Sequence, residues 1–196
     1  MKQKLMIGLA LTLALALVVN PAIAKDKNKA IESYKANAIM QTAGAGSMAE
    51  INIYRWSSDE ERGEILEAIK KATANPRTNS REIAKTLRGQ AKAGYAFMGA
   101  NQGYPLRYAK SFDMGDGKRQ IILATDRPVS FGEVYQQTQL GDFDVTLVIL
   151  NLDKDGKGEG VLSMGTEVKW NDKEGKIEMT NVSSQPIKLG DVRPAK

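Results

Sequence analysis

The chain contains neither cysteine nor histidine. These two absences remove much of ordinary enzyme chemistry. A Ser-His-Asp triad or a Cys-His dyad needs an imidazole base. Zinc sites built from the usual nitrogen and sulfur ligands need the same residues, and so does haem with a His or Cys axial ligand. Catalysis would have to rest on carboxylates, Lys, Tyr or Ser, and no cofactor is indicated. Without cysteine no disulfide forms, so the fold is held by its core alone.

A long basic run is also missing. The formal charge is +5 and the pI about 9.3, yet the bases are scattered among acids beyond Lys25-Asp26-Lys27-Asn28-Lys29. A nucleic-acid binder would show a basic stripe with interleaved aromatics. The pattern describes a solvated surface and predicts no nucleic-acid partner. The sequence also shows no internal repeat.

What is present begins with an export signal. Lys2 and Lys4 precede an apolar run from Leu5 to Val19, Asn20-Pro21 breaks it, and Ala22-Ile23-Ala24 follows. That is a basic segment, an apolar segment and a small-x-small cleavage site in order. The run is shorter than the roughly 20 residues a membrane span needs. The expectation is cleavage after Ala24, a mature chain from Lys25, a periplasmic or secreted location and no membrane span after cleavage. Loss of Lys2 and Lys4, with no acid before Asp26, reduces the charge from five to three. The remaining 25–196 is expected to form one domain.

The strongest strand signals lie between Lys118 and Leu152. Arg119–Thr125 and Phe143–Leu150 are rich in β-branched and large apolar residues and lack Gly and Pro. In the second run Phe143, Val145, Leu147 and Ile149 share one face, expected to be core. The other face becomes apolar at Val148, Leu150 and Leu152. A strand apolar on both faces should be central and covered on both sides. Asp116-Gly117 predicts a hairpin. Ser57-Ser58-Asp59-Glu60-Glu61 predicts a capped helix to about Ala72, with acids in its first turn and Lys70-Lys71 in its last. A second helix is expected over 81–88. The pair reads as an insertion at about 57–90. Shorter strands are expected at 31–42 and 51–56, and a helical turn at 131–136. Leu106, Tyr108, Lys110 and Phe112 are expected to share a face, and Leu162 to Trp170 to form one strand in the main sheet. The fold class is therefore α+β: a mainly antiparallel sandwich or barrel-like sheet with a two-helix insertion.

Three groups of residues are candidates for function. Asp126, Glu133, Asp142 and Asp144 lie near expected strand ends, as do Asp113 and Asp116; a pair meeting across a cleft would suit glycoside hydrolysis. Asn151, Asp153 and Asp155 match the opening of a calcium loop, with Gly156 at its sixth position and Glu159 at its ninth. Its twelfth position, where a bidentate Glu belongs, is Leu162, and a charged turn explains the same residues, so no metal is expected. Tyr104, Tyr108 and Arg127 are candidates for ligand contact, with Tyr104 in a Gly-Tyr-Pro turn expected to be exposed. Aromatic side chains can line a pocket between sheet and helices.

The stretches Tyr104-Pro105-Leu106-Arg107-Tyr108-Ala109, 124–131 (ATDRPVSF) and 152–160 (LDKDGKGEG) are similar to an uncharacterised group of exported bacterial proteins. The resemblance spans roughly the C-terminal half. It implies export and no activity, cofactor or catalytic residue. The functional expectation is an exported, non-catalytic binding or structural protein of the bacterial envelope, its partner an envelope component or small-molecule ligand. The alternative is a carboxylate-dependent hydrolase of wall or extracellular polysaccharide.

Overall fold

The computed structural model describes residues 29–39, 46–73, 79–99, 103–129, 145–164, 166–171, 176–181 and 186–195. The expected signal segment and the expected turn at 131–136 lie outside them. In chain order the elements are β1 (Glu32–Ile39), β2 (Gly46–Ile53), α1 (Asp59–Thr73), α2 (Asn79–Gly89), β3 (Gly94–Met98), β4 (Gly103–Leu106) and β5 (Tyr108–Gly115). They continue with β6 (Lys118–Thr125), β7 (Thr146–Leu152), β8 (Gly158–Met164), β9 (Thr166–Asn171), β10 (Lys176–Asn181) and β11 (Ile187–Pro194). No helix among the described residues is long and apolar enough to cross a membrane.

Nine strands form one antiparallel sheet in the order β4-β3-β2-β1-β11-β8-β7-β6-β5. The sheet curls into a nearly closed barrel. β4 and β5 stand at its two edges, yet only Arg107 separates them in sequence. The Ala93 amide donates to Leu106, and the Arg107 amide donates to Ala124. One bent segment thus pairs with β3 at one end and with β6 at the other, which joins the two edges. Register shifts in β1, β5 and β11 add the local twist that a closing sheet needs.

The bend changes which residues share a face. Leu106 faces the barrel interior, whereas Tyr108 faces outward, so the expected common face of Leu106 and Tyr108 is broken at Arg107. The single strand expected from Leu162 to Trp170 is likewise two strands, β8 and β9. β8 belongs to the barrel, while among the described residues β9 pairs with β10 in a separate two-stranded sheet, not in the main sheet as expected. The side chain of Trp170 lies outside the described residues.

The interior is filled by side chains of unequal size. β1, β2 and β3 contribute Ala36, Ala38, Ala49 and Ala96; β6, β7 and β8 contribute Ile121, Leu123, Leu150 and Leu162. Small residues on some strands and large ones on others are how a small barrel's interior is filled. One end is closed by Arg119 of β6, which reaches across to Glu32 (2.8 Å) and the Tyr34 hydroxyl of β1. Burial and the neighbouring Glu32 carboxylate push the Tyr34 phenol up.

The two helices lie outside the barrel, inserted between β2 and β3. Of the two possible capping boxes, Ser58 with Glu61 forms. The Ser58 amide donates to Glu61 Oε2 (2.8 Å), and the Glu61 amide donates to Ser58 Oγ (3.2 Å). Ser57 is buried instead, with its amide donating to the Ala109 carbonyl and its hydroxyl accepting from the Ala109 amide. This fixes the start of α1 on β5. Arg55 grips Glu61 with both terminal nitrogens, at 2.7 and 2.8 Å.

That grip, opposed in part by burial, holds the Glu61 carboxyl below its usual range. A depressed folded-state pKa contributes stability above the unfolded pKa, about 4.3 for Glu, and loses it as pH falls through the folded value. Glu61→Gln should therefore lower stability at pH 7 by roughly 0.5–2 kcal/mol. Denaturant midpoints of both proteins at pH 7 and pH 3 check this. The gap should shrink at the lower pH, and an undiminished gap would show that the ionised carboxylate contributes nothing.

Candidate functional site

β7 is apolar on both faces because both are covered, as its sequence predicts. Thr146, Val148, Leu150 and Leu152 point into the barrel. Val145, Leu147 and Ile149 point outward, joined by Ile122 and Ala124 of β6 and by Tyr108 and Phe112 of β5. α1 and α2 roof this outer face with Ile65, Leu66, Ile69, Ile83 and Leu87, and Val168 of β9 adds a wall. The roof does not seal. Leu147 and Ile149 remain half-buried, so Leu147 is not the core residue expected; the sealed core is on the opposite face of the strand.

The result is a groove of about 630 Å³. Ligand pockets typically span about 300–1,000 Å³, with apolar linings and a few placed polar groups. From Tyr108 to Phe112 the floor runs four strand residues, roughly 13 Å at about 3.3 Å each. Among the described lining residues Arg62 is the one cation and Asp113 the one carboxylate. The Asp113 carboxylate accepts the Gly115 amide at 2.8 Å and so serves the β5–β6 turn. Arg62 is exposed, stands beside the Tyr108 phenol and lies 5.9 Å from the centre of the Phe112 ring. Burial pushes the Tyr108 phenol up, and Arg62 partly opposes that. The groove is thus a greasy slot with a guanidinium and a phenol beside it. It can hold an apolar body and pair one negative charge.

The predicted residues fall in different places. Tyr108 lines the groove, as a ligand candidate should. Tyr104 does not: it is 3% exposed and packed in the barrel core, because β4 points it inward. Arg127 is exposed beside Asp126 at the end of β6. Asp126 is buried among Arg88, Arg107 and Arg127. Asp113 and Asp116 lie at the opposite end of β6, seven strand residues or roughly 23 Å away. That exceeds the reach of a glycosidase carboxylate pair, about 5–10 Å. Glu133, Asp142 and Asp144 lie outside the described residues.

The calcium-like loop is a turn. Asp153 Oδ1 accepts the amides of Asp155 and Lys157, both at 2.9 Å, so it caps the loop's own backbone. Asn151 accepts from Gln120 across the sheet, and Glu159 pairs with Lys188. Among the described residues no group of three acidic side chains could hold a metal ion.

Arg62, Ile122 and Leu87 were not identified by sequence reasoning. A signal for Arg62 existed. It stands at the i, i+3, i+4, i+7 spacing with Ile65, Leu66 and Ile69, a cation on an apolar helix stripe. Comparison with known protein families, curated proteins and solved structures finds no match.

Proposed function

We propose that this chain is an exported, non-catalytic binding protein that carries a small acidic amphiphile in the groove between the helices and the barrel. The apolar part lies along Ile122, Leu147 and Ile149, and the acidic group meets Arg62. The observation that supports this most is the half-buried outer face of β7, a strand whose apolar residues are roofed but not sealed. Apolar side chains left partly accessible in a concave slot bind ligand rather than stabilise the fold. The barrel interior is packed with side chains, and the helix-covered face offers the apolar slot. Export rests on the Lys2–Ala24 pattern, and the lack of cysteine is compatible with it.

Fluorescence titration with 1-anilinonaphthalene-8-sulfonate, displaced by dodecanoate or dodecanol, tests the proposal. The native protein should bind the probe saturably at one site. Leu147→Trp should fill the slot and abolish binding while the protein stays folded. Arg62→Gln should weaken dodecanoate about fivefold, the equivalent of roughly 1 kcal/mol for an exposed charge contact. It should leave dodecanol unchanged. Non-saturable binding, or binding indifferent to Leu147→Trp, would exclude the groove.

A further inference from the structure

The binding proposal leaves one buried polar cluster unused. Asp126 is 2% exposed at the end of β6. Arg88 of α2 donates to its Oδ2 from Nε at 3.3 Å. Arg107, at the bend between β4 and β5, and Arg127 bring their Nε atoms to 3.6 and 3.7 Å from Oδ1. Arg107 Nε and Asp126 Oδ1 are buried without a hydrogen-bond partner. The Arg107 Nη1 group donates to the Gln90 carbonyl at 3.3 Å.

Three guanidiniums around one carboxylate leave an excess of two positive charges. Tying α2 to the barrel needs one arginine; each further one adds repulsion between like charges. Arg88 and Arg127 are 61% and 52% exposed. Among the described residues no other acceptor meets their terminal N–H groups. A guanidinium has five N–H donors in a planar fork. Arg88 and Arg127 turn Nε to Asp126, which leaves their terminal nitrogens for another acceptor, while Arg107 commits Nη1 to the Gln90 carbonyl. Arg is the residue best matched to phosphate for this reason.

We propose that Arg88, Arg107 and Arg127, held by Asp126, form an oxyanion site for a doubly charged phosphate group. Asp126 does not touch the anion. It aligns the three guanidiniums and keeps them together. The phosphate comes either from the free ion or from a phosphate ester whose chain lies in the groove. The second source is geometrically available, since Leu87, Tyr108 and Ala124 of the groove stand one or two residues from Arg88, Arg107 and Asp126. The anion site stands on its own residues and does not depend on the groove being occupied.

Melting curves in sodium phosphate, against sodium chloride of equal ionic strength, provide the test. They compare the native protein with Arg88→Gln/Arg127→Gln, in which Arg107 still stands beside Asp126, and each protein is read against its own chloride baseline so that a lower starting stability does not mimic loss of the site. Ligand that binds only the folded state raises the melting temperature in a concentration-dependent way. The native protein should show this rise saturably, and the double variant should need at least about tenfold more phosphate for it, as befits the loss of charge-assisted pairs. General stabilisation by phosphate as an excluded salt acts on both proteins alike. Dodecyl phosphate and dodecanol are then compared by isothermal titration. If dodecyl phosphate binds more tightly than dodecanol, and that advantage vanishes in the double variant, the site takes an ester. If neither the ion nor the ester distinguishes the two proteins, the cluster is a staple and the proposal fails.

Discussion

Leu150→Ala should lower stability by about 2–5 kcal/mol, the cost of a lost side chain plus the cavity it leaves. Leu150 is fully buried between Ile121 of β6 and Gly160 of β8, with its Cδ2 only 2.7 Å from where a Cβ on Gly160 would stand. A domain of this size has only about 5–15 kcal/mol to lose. Leu147→Ala, three residues earlier on the outward face, removes a half-buried side chain from the groove. It should cost about 1–2 kcal/mol. Urea midpoints of both variants check the pair. Equal costs would mean that the helices seal β7 as firmly as the barrel does, and the groove would not exist.

Gly158→Ala should also be severe. A Cβ there would meet the Asn151 carbonyl oxygen at 1.9 Å and the Leu152 Cα at 3.2 Å, both backbone atoms of the paired strand β7. A clash with backbone is relieved only by prying β8 from β7, so the expected cost is at least about 2–3 kcal/mol. The control is Gly63→Ala, on α1, where nothing lies within 4 Å of the new atom. It should stabilise by about 0.5–1 kcal/mol through helix propensity and a less free unfolded chain. Thermal unfolding of the two variants reads the difference directly. Near-native stability of Gly158→Ala would contradict the β7–β8 register.

Elements with strong local signals were legible in the sequence. Ser58 and Glu61 are near neighbours that satisfy each other, so the start of α1 is written in five residues. Asp116-Gly117 forms a tight turn with both residues at positive φ, as that pair predicts. The two-sided apolarity of β7 announced two cover layers. What pattern could not resolve is which face gets the complete cover, because Val148 and Leu147 are equally apolar. That choice belongs to barrel closure, set by contacts distant in sequence, such as Arg107 with Ala124.

The misplaced residues follow from the same limit. Tyr104 reads as a turn residue beside Pro105, yet β4 pairs with β3 and turns it inward. Leu162 and Val168 fit one alternating strand, yet they fall on strands of different sheets and in different cores. β11 has eight residues and sits between β1 and β8, where it joins the two halves of the sheet, a placement its own sequence does not announce. For the site, the charges that matter stand far apart in the chain. Asp126 and Arg127 are adjacent, but Arg88 and Arg107 reach Asp126 only through the fold.

The most direct measurement of the central claim is a methyl NMR titration of the labelled protein with dodecanoate. The methyl signals of Ile122, Leu147 and Ile149 should shift together and saturate at one equivalent, while those of Ile51, Leu150 and Leu162 inside the barrel stay in place. Shifts of the interior methyls with the groove methyls unmoved would contradict the account and put the ligand inside the barrel.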